Sequence, residues 1–410
     1  MSLEVNILTE FFGIKNYEVE KVIKDNNDKK IVLEMSRCCS CYCSKCGTVS
    51  GKRYDSSYQE FLIGTLNARA VYARTKVYRV RCPFHGIVTE HHGISEGKKR
   101  YTKEVGSLVV HFTEKLDNKA VGKLLGISES TVYRIDTDEL AQMQERYLKD
   151  LPQPQRLGVD EISYKRRHNY ASVVYDFDAS KVLWLEDGRS RISLEQSYDT
   201  LDGALKNVKT VAMDFWKAFE NATKKKLPKA KIVYDRFHLS RLLSRVVDDE
   251  RRLYQKQLEP EERKFIKRDL RWVLLKREQN LTHKNRMCLQ DLKDSNNRLY
   301  EMYLLKESFL AIFSTDYSVS QARKLLFAWI REVLLSGFEV FKRFAKSVLK
   351  RMRQILHWFV EPISNAKAEG INNVIKTLLK RAYGYKNFHY LRMKILQKCG
   401  ALMNYVTHSF

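Results

Sequence analysis

Between residues 156 and 238 the apolar residues fall in short runs separated by turn formers: RLGVDEIS, NYASVVYDFD, KVLWLEDG, VKTVAMD and KIVYDRFH. Runs this short, rich in Val, Ile, Leu and Tyr and bounded by Asp, Asn and Gly, read as strands. A helical stretch around Leu194–Leu205 separates the third run from the fourth, and another helix separates the fourth from the fifth. Three strands followed by helix, strand, helix and strand predict a mixed α/β sheet. Pro152 and Pro154 in LPQPQR mark a linker upstream of it. Before the linker the period changes. NKAVGKLLGISESTVYRI, Asn118–Ile135, predicts two helices with Gly126 at the turn, Ser128 as N-cap and the second helix starting at Glu129. Earlier still, AVYARTKVYRVRC alternates with period two and predicts strands within residues 51–81.

The C-terminal block SNAKAEGINNVIKTLLKRAYGY has a third pattern. At about 100° per residue, Glu369, Asn373, Lys376 and Lys380 form one narrow stripe, with Ile371, Ile375, Leu378 and Ala382 opposite. From Ser364 to Phe410, Glu369 is the only carboxylate among eight Lys and Arg. On one reading the stripe is a solvated face in which the acid offsets its lysines. On the other, the lysines meet an anionic polymer and the glutamate holds a cation beside it. The second reading needs more carboxylates elsewhere in the chain.

The sheet region supplies them. Asp160 lies within the first strand, Asp214 closes the fourth and Asp235 closes the fifth. Catalytic groups gather at strand ends in open α/β sheets, because the loops leave there and a crevice opens. Capping of the following helix is the rival role for Asp214 and Asp235. Asp160 is different: an unpaired carboxylate in an apolar strand is costly to bury, so something cationic is expected near it.

Charge and cysteine usage narrow the class. The 410 residues suggest two to four domains, and a formal charge of +25 attracts polyanions, of which nucleic acid is the usual one. No apolar run approaches the roughly 18–20 residues of a spanning helix. The N-terminal MSLEVNILTEFFG is too acidic for a signal peptide, so a cytoplasmic protein without membrane association is expected. Of the eight cysteines, five crowd into Cys38–Cys46, and the spacings Cys43-Ser-Lys-Cys46 and Cys82-Pro-Phe-His85 suit one tetrahedral structural zinc with Cys3His ligation. Cys38, Cys39 and Cys41 supply surplus sulfur, and a cluster of reduced thiols is the alternative. In so basic a chain the two-helix segment reads as a helix-turn-helix, presenting Ser130, Tyr133 and Arg134 to the major groove.

GVDE at Gly158–Glu161, MDFWKAF at Met213–Phe219, YDRFH at Tyr234–His238 and the Glu369 block, in this order, resemble the ISL-three family of bacterial insertion-sequence transposases. The resemblance covers nearly the whole chain, and the Glu369 block is its most specific part. It implies a multidomain α/β protein with a ribonuclease-H-like core and a large helical insertion, preceded by a zinc-binding module and a helix-turn-helix. The expected divisions are a zinc module over 1–95, the helix-turn-helix region over 96–150, the first part of the core over 151–240, the insertion over 241–360, and the final core helix with its basic tail over 361–410. Leu239–Val360, rich in Arg, Lys and Leu with few Gly or Pro, is similar to that insertion.

The resemblance further implies two magnesium ions, replaceable by manganese, on Asp160, Asp214 and Glu369. It places the fourth strand beside the first and the fifth outside it, which favours Asp214 over Asp235 as the second ligand. Asp235 and His238 then orient the site or serve as alternative ligands. Lys376, Lys380 and Arg381 are expected on DNA phosphates. The implied partners are double-stranded DNA, as terminal inverted repeats and target, and further copies of the chain in a homodimer or higher oligomer. The alternative is a catalytically inactive, transposase-derived DNA-binding regulator. Tyr383 and Tyr385 lie near Lys and Arg without the Arg/His set of a tyrosine recombinase, and read as packing or stacking residues.

Overall fold

The computed structural model describes residues 9–25, 30–50, 52–165, 169–260, 270–295, 298–363, 366–382 and 384–406. Ser364, Asn365 and Tyr383, singled out in the sequence, lie outside them. The chain divides into two compact units, Met1–Asp150 with Leu378–Phe410, and Leu151–Thr377.

The first unit opens with strands β1 (Tyr17–Asp25), β2 (Lys30–Arg37), β3 (Arg53–Leu66), β4 (Arg69–Cys82) and β5 (Gly86–Thr89). They are ordered β1-β2-β4-β3, with β5 also paired to β4. One sheet face buries Ile31, Leu33, Phe61, Ile63, Val71 and Val77. Leu62 and Ala70 project the other way, onto helices α1 (Lys103–Lys115), α2 (Asn118–Leu125) and α3 (Glu129–Lys149), sharing a core with Val105, Val109, Val121, Leu125, Val132 and Ile135. That division follows from the strand period of two. Gly126 ends α2 in the left-handed region at φ 70°. A Cβ there would meet the Ala68 carbonyl oxygen at 2.5 Å, so the β3–β4 turn requires glycine at this point.

The C-terminal helix α14 (Phe388–Cys399) also packs in this unit. Asp136, fully buried on α3, accepts hydrogen bonds from the Tyr390 hydroxyl (2.6 Å), the Lys394 ammonium (3.2 Å) and the Thr113 hydroxyl (2.5 Å). A buried acid persists only when satisfied in this way. The Tyr385 ring lies 5.8 Å from that of Tyr390, a packing role.

The second unit is built on β6 (Arg156–Lys165), β7 (Asn169–Asp176), β8 (Lys181–Asp187), β9 (Thr210–Met213) and β10 (Lys231–Tyr234), in the order β10-β9-β6-β7-β8. β9 runs parallel to β6 and β10, whereas β7 and β8 are antiparallel. The fourth strand therefore lies beside the first and the fifth outside it, as expected. Val173 and Val174 are both fully buried, as are Val211 to Met213, so both sheet faces are covered, as in buried α/β sheets. Helices α4 (Arg191–Thr200) and α5 (Lys217–Lys226) occupy the connections read as helical. Gly158 of GVDE makes room for the Phe177 ring, which a Cβ would approach to 2.2 Å. The described part of 236–357 is helical: α6 (Arg236–Gln255), α7 (Arg271–Leu275), α8 (His283–Asp294), α9 (Arg298–Ile312), α10 (Val319–Leu335), α11 (Glu339–Lys350) and α12 (Met352–His357). Helix α13 (Ala366–Arg381) then carries Glu369.

Candidate active site and metal centre

Three aspartates stand level on three adjacent strands, Asp160 within β6 and Asp214 and Asp235 just past the ends of β9 and β10. Val159 pairs with Met213 across β6 and β9, and Met213 with Tyr234 across β9 and β10. The next residue on each strand is Asp160, Asp214 and Asp235, and neighbouring strands are about 4.8 Å apart. The capping question has different answers for the last two. Asp235 is the N-cap of α6, its side chain accepting from the Phe237 amide. Asp214 caps nothing: the N-cap of α5 is Trp216, without a side-chain cap.

Asp214 Oδ2 meets His238 Nδ1 at 2.8 Å, while Oδ1 is buried without a hydrogen bond among the described residues. His238 Nε2 lies 3.8 Å from Asp235 Oδ2, so the imidazole stands between two carboxylates. Burial pulls its pKa down, but the hydrogen bond and charge of Asp214, with Asp235 and Asp160 beyond, carry it above the ordinary histidine value. Asp160 is partly buried. Its Oδ1 accepts from the Glu161 amide at 2.7 Å and its Oδ2 from the Asn372 side-chain amide at 2.8 Å. Burial first, then the charge of Asp214, pushes its pKa up to about 6. The expected cationic neighbour is therefore His238, acting at a distance, while the direct partner of Asp160 is a neutral amide.

Glu369 is exposed on α13, as are Asn373, Lys376 and Lys380 of the same stripe. The helix buries Ala368, Asn372, Ile375 and Leu378, so the polar stripe is as expected, but the opposite face includes an asparagine. Asp160, Asp214 and Glu369 do not all bring oxygens within 4.8 Å of one another. The donor set nonetheless fits a hard divalent cation. It offers anionic oxygens on rigid elements, one orphaned buried oxygen on Asp214, and an Asp160 whose charge lacks a close cation.

The other cluster is closed. Ligand atoms of Cys43, Cys46, Cys82 and His85 all lie within 4.8 Å of one another. Cys46 Sγ lies 3.6 Å from Cys82 Sγ, Cys82 Sγ 3.6 Å from His85 Nδ1 and Cys43 Sγ 3.7 Å from His85 Nδ1. A tetrahedron with zinc bonds of about 2.3 Å to sulfur and 2.0–2.1 Å to nitrogen has edges of about 3.5–3.8 Å. The two knuckles are tight turns, with Gly47 at φ 70° and Gly86 at φ 66°. Cys38, Cys39 and Cys41 stand outside this four-ligand group.

Ser130, Tyr133 and Arg134 are exposed near the start of α3. Tyr133 also packs edge-on against Tyr390, with ring centroids 4.7 Å apart. Arg381 is exposed and donates through one guanidinium nitrogen to the Lys115 carbonyl. No described helix is long and apolar enough to cross a membrane.

Sequence reasoning missed Asn372 and Tyr175. Asn372 Oδ1 accepts from the Tyr175 hydroxyl at 2.5 Å while its Nδ2 donates to Asp160. The available signal was an Asn on the apolar flank of α13, three residues after the glutamate.

A transposase family model of the ISL-three DDE type matches residues 157–395. The transposase for insertion sequence element IS1001 of Bordetella parapertussis is 30% identical over 302 residues, covering 72% of this chain and 73% of that protein. The transposase for insertion sequence element IS1557 of Mycobacterium tuberculosis is 25% identical over 341 residues, covering 77% and 76%. Among solved structures, the Drosophila P element transposase strand transfer complex aligns with a TM-score of 0.38 and 10% identity, over 75% of this chain and 94% of that one. By the extent of the family match and the identity to the Bordetella protein, the chain belongs to the ISL-three family of DDE transposases.

Proposed function

We propose that the chain binds the terminal inverted repeats of an insertion sequence, cleaves DNA there by metal-dependent phosphodiester hydrolysis, and joins the exposed 3′-hydroxyl to target DNA. The observation that carries this reading is the level pair formed by Asp160 within β6 and Asp214 at the end of β9, with the helix bearing Glu369 tied to Asp160 through Asn372. The strand order β10-β9-β6-β7-β8, parallel on one side and antiparallel on the other, supports a ribonuclease-H-like core for residues 151–240 and the Glu369 helix, with 241–360 as the helical insertion.

Asp160, Asp214 and Glu369 would hold magnesium, for which manganese can substitute. When bound, two such ions stabilise the attacking and leaving oxygens of an in-line displacement at phosphorus. The protein's own part is to place the ligands. Asp160 is oriented by the Glu161 and Asn372 amides, and Asp214 by His238. Asp235 holds the start of α6. Lys376 and Lys380, exposed along α13, contact backbone phosphates and position the strand without reading sequence.

The Cys3His cluster is assigned a structural zinc and supports residues 1–95 as a zinc module. Helices α2 and α3, within 96–150, are assigned as a helix-turn-helix in which Ser130, Tyr133 and Arg134 face the major groove. Two ends must be brought together, which makes a homodimer or higher oligomer on DNA the working form.

The test is Glu369→Gln, which keeps the shape but is a much poorer ligand for a hard cation. Gel shifts on the element's ends should be unchanged while magnesium-dependent strand cleavage is lost. Substantial cutting by the variant would return Glu369 to a solvated helix face, and a wild-type chain that binds ends without cutting would favour the regulator.

A further inference from the structure

We propose that Asn372 is a positioning residue for the metal site, locking Asp160 and the turn that carries Glu369 into one arrangement through a Tyr175–Asn372–Asp160 chain. The inference rests on the reading of Asp160, Asp214 and Glu369 as metal ligands.

Asn372 is 7% exposed and Tyr175 is fully buried. The Tyr175 hydroxyl, on β7, donates to Asn372 Oδ1 at 2.5 Å; Asn372 Nδ2, on α13, donates to Asp160 Oδ2 at 2.8 Å, on β6. The Asp160 carboxylate can only accept, which fixes the amide: its nitrogen must face Asp160, so its oxygen faces Tyr175, whose hydroxyl donates. With Oδ1 held by the Glu161 amide, both oxygens of Asp160 are oriented, and each retains a lone pair for a cation.

The residue type matters. An arginine or lysine at position 372 would also hold Asp160, but its charge would compete with the metal for the same carboxylate. A neutral amide orients the ligand without neutralising it. Asn372 also stands three residues after Glu369, so the two are neighbours along the helix surface. The bond that orients Asp160 therefore sets how the turn bearing Glu369 meets β6. Groups that orient metal ligands typically govern affinity by 10–100-fold.

The experiment uses the full-length, zinc-loaded chain without DNA and Mn2+ as the probe, measuring bound ion by electron paramagnetic resonance. The variants are Asn372→Ala, Tyr175→Phe, Asp160→Asn and, as a control, Tyr198→Phe, which removes a buried hydroxyl paired with Thr223. Asn372→Ala should weaken Mn2+ binding by about tenfold or more, Tyr175→Phe by less, and Tyr198→Phe not at all. In cleavage assays Asn372→Ala should need correspondingly more metal for half-maximal rate and recover toward the wild-type rate at saturation. A folded Asn372→Ala chain that binds Mn2+ like wild type overturns the proposal. If that variant does not fold, Tyr175→Phe decides, and equality with Tyr198→Phe overturns it. Wild-type Mn2+ affinity in Asp160→Asn would instead overturn the acid-site reading on which it rests.

Discussion

Asp160→Asn should make the metal-free protein more stable at neutral pH while destroying its activity. In the folded chain, burial and the charge of Asp214 push the Asp160 carboxyl from an ordinary 3.8 up to about 6. Each tenfold change in proton affinity is worth about 1.4 kcal/mol, so ionised Asp160 costs the folded state about 3 kcal/mol. The sign follows from proton uptake. Between pH 4 and 6 the folded chain holds a proton that the unfolded chain has released, so stability falls as pH rises through this window. The cost is absent below about pH 4, roughly half developed at pH 5 and complete above pH 7. Asparagine removes it, but one carboxamide oxygen cannot serve both the Glu161 and Asn372 donors. Losing one of those bonds returns about 1 kcal/mol, leaving a net gain of about 2 kcal/mol at pH 8.

Urea unfolding followed by tryptophan fluorescence is the appropriate assay, since Trp184 and Trp216 both lie in the unit that carries the site. The advantage of the variant over wild type should shrink by about half or more between pH 8 and pH 5. Magnesium should raise the midpoint of wild type and leave the variant unmoved, and the variant should not cleave DNA. Equal stabilities at both pH values would refute the reasoning, because they would show that the charge on Asp160 is not held against burial.

Two further expectations concern the ligand sets. Hydrogen bonding from the Thr48 hydroxyl and amide pulls the Cys46 thiol down to about 6, so in chelator-treated protein at pH 7 iodoacetamide should alkylate Cys46 ahead of the exposed Cys38, whose thiol is raised by burial and Glu18; about one zinc per chain should protect it, and equal labelling with metal present would refute the Cys3His centre. Cys46→Ser should lose specific end binding while keeping salt-sensitive nonspecific binding, because the rest of the chain stays strongly basic. Asp214→Cys should lose cleavage in magnesium and regain part of it in manganese, which accepts sulfur better; rescue at Asp235→Cys instead, with Asp214→Asn still active, would exchange their roles.

What the sequence made legible was local. Strands β6 to β10 follow from apolar runs between turn residues, the α2–α3 turn from Gly126 and Ser128, and the Cys3His cluster from two short spacings that place both ligands of each pair in one turn. In each case neighbours in sequence already carry the constraint. Asp136 shows where this ends. In VYRIDTDEL it reads as one more acid on a charged helix, yet it is fully buried because Tyr390 and Lys394, more than 250 residues later, reach it. Only the folded chain brings those donors together, so no local pattern marks the position.

The candidate site divides along the same line. Strand-end placement pointed to Asp214 and Asp235 alike, since an Asp before a helix looks the same whether it caps or ligates. The difference lies in where the helix begins. It starts directly after Asp235, so one oxygen of that carboxylate accepts from the Phe237 amide; after Asp214 it starts three residues later, leaving Oδ1 buried without a hydrogen bond among the described residues, one strand from Asp160. A buried oxygen without a donor costs stability unless something else supplies the positive charge. The same reasoning accounts for Asn372: on a helix face otherwise filled by Ala368, Ile375 and Leu378, an amide is disfavoured by packing alone. Its presence is explained by the two polar groups it joins, Tyr175 and Asp160, and these reach α13 from strands that sequence distance keeps about 200 residues away.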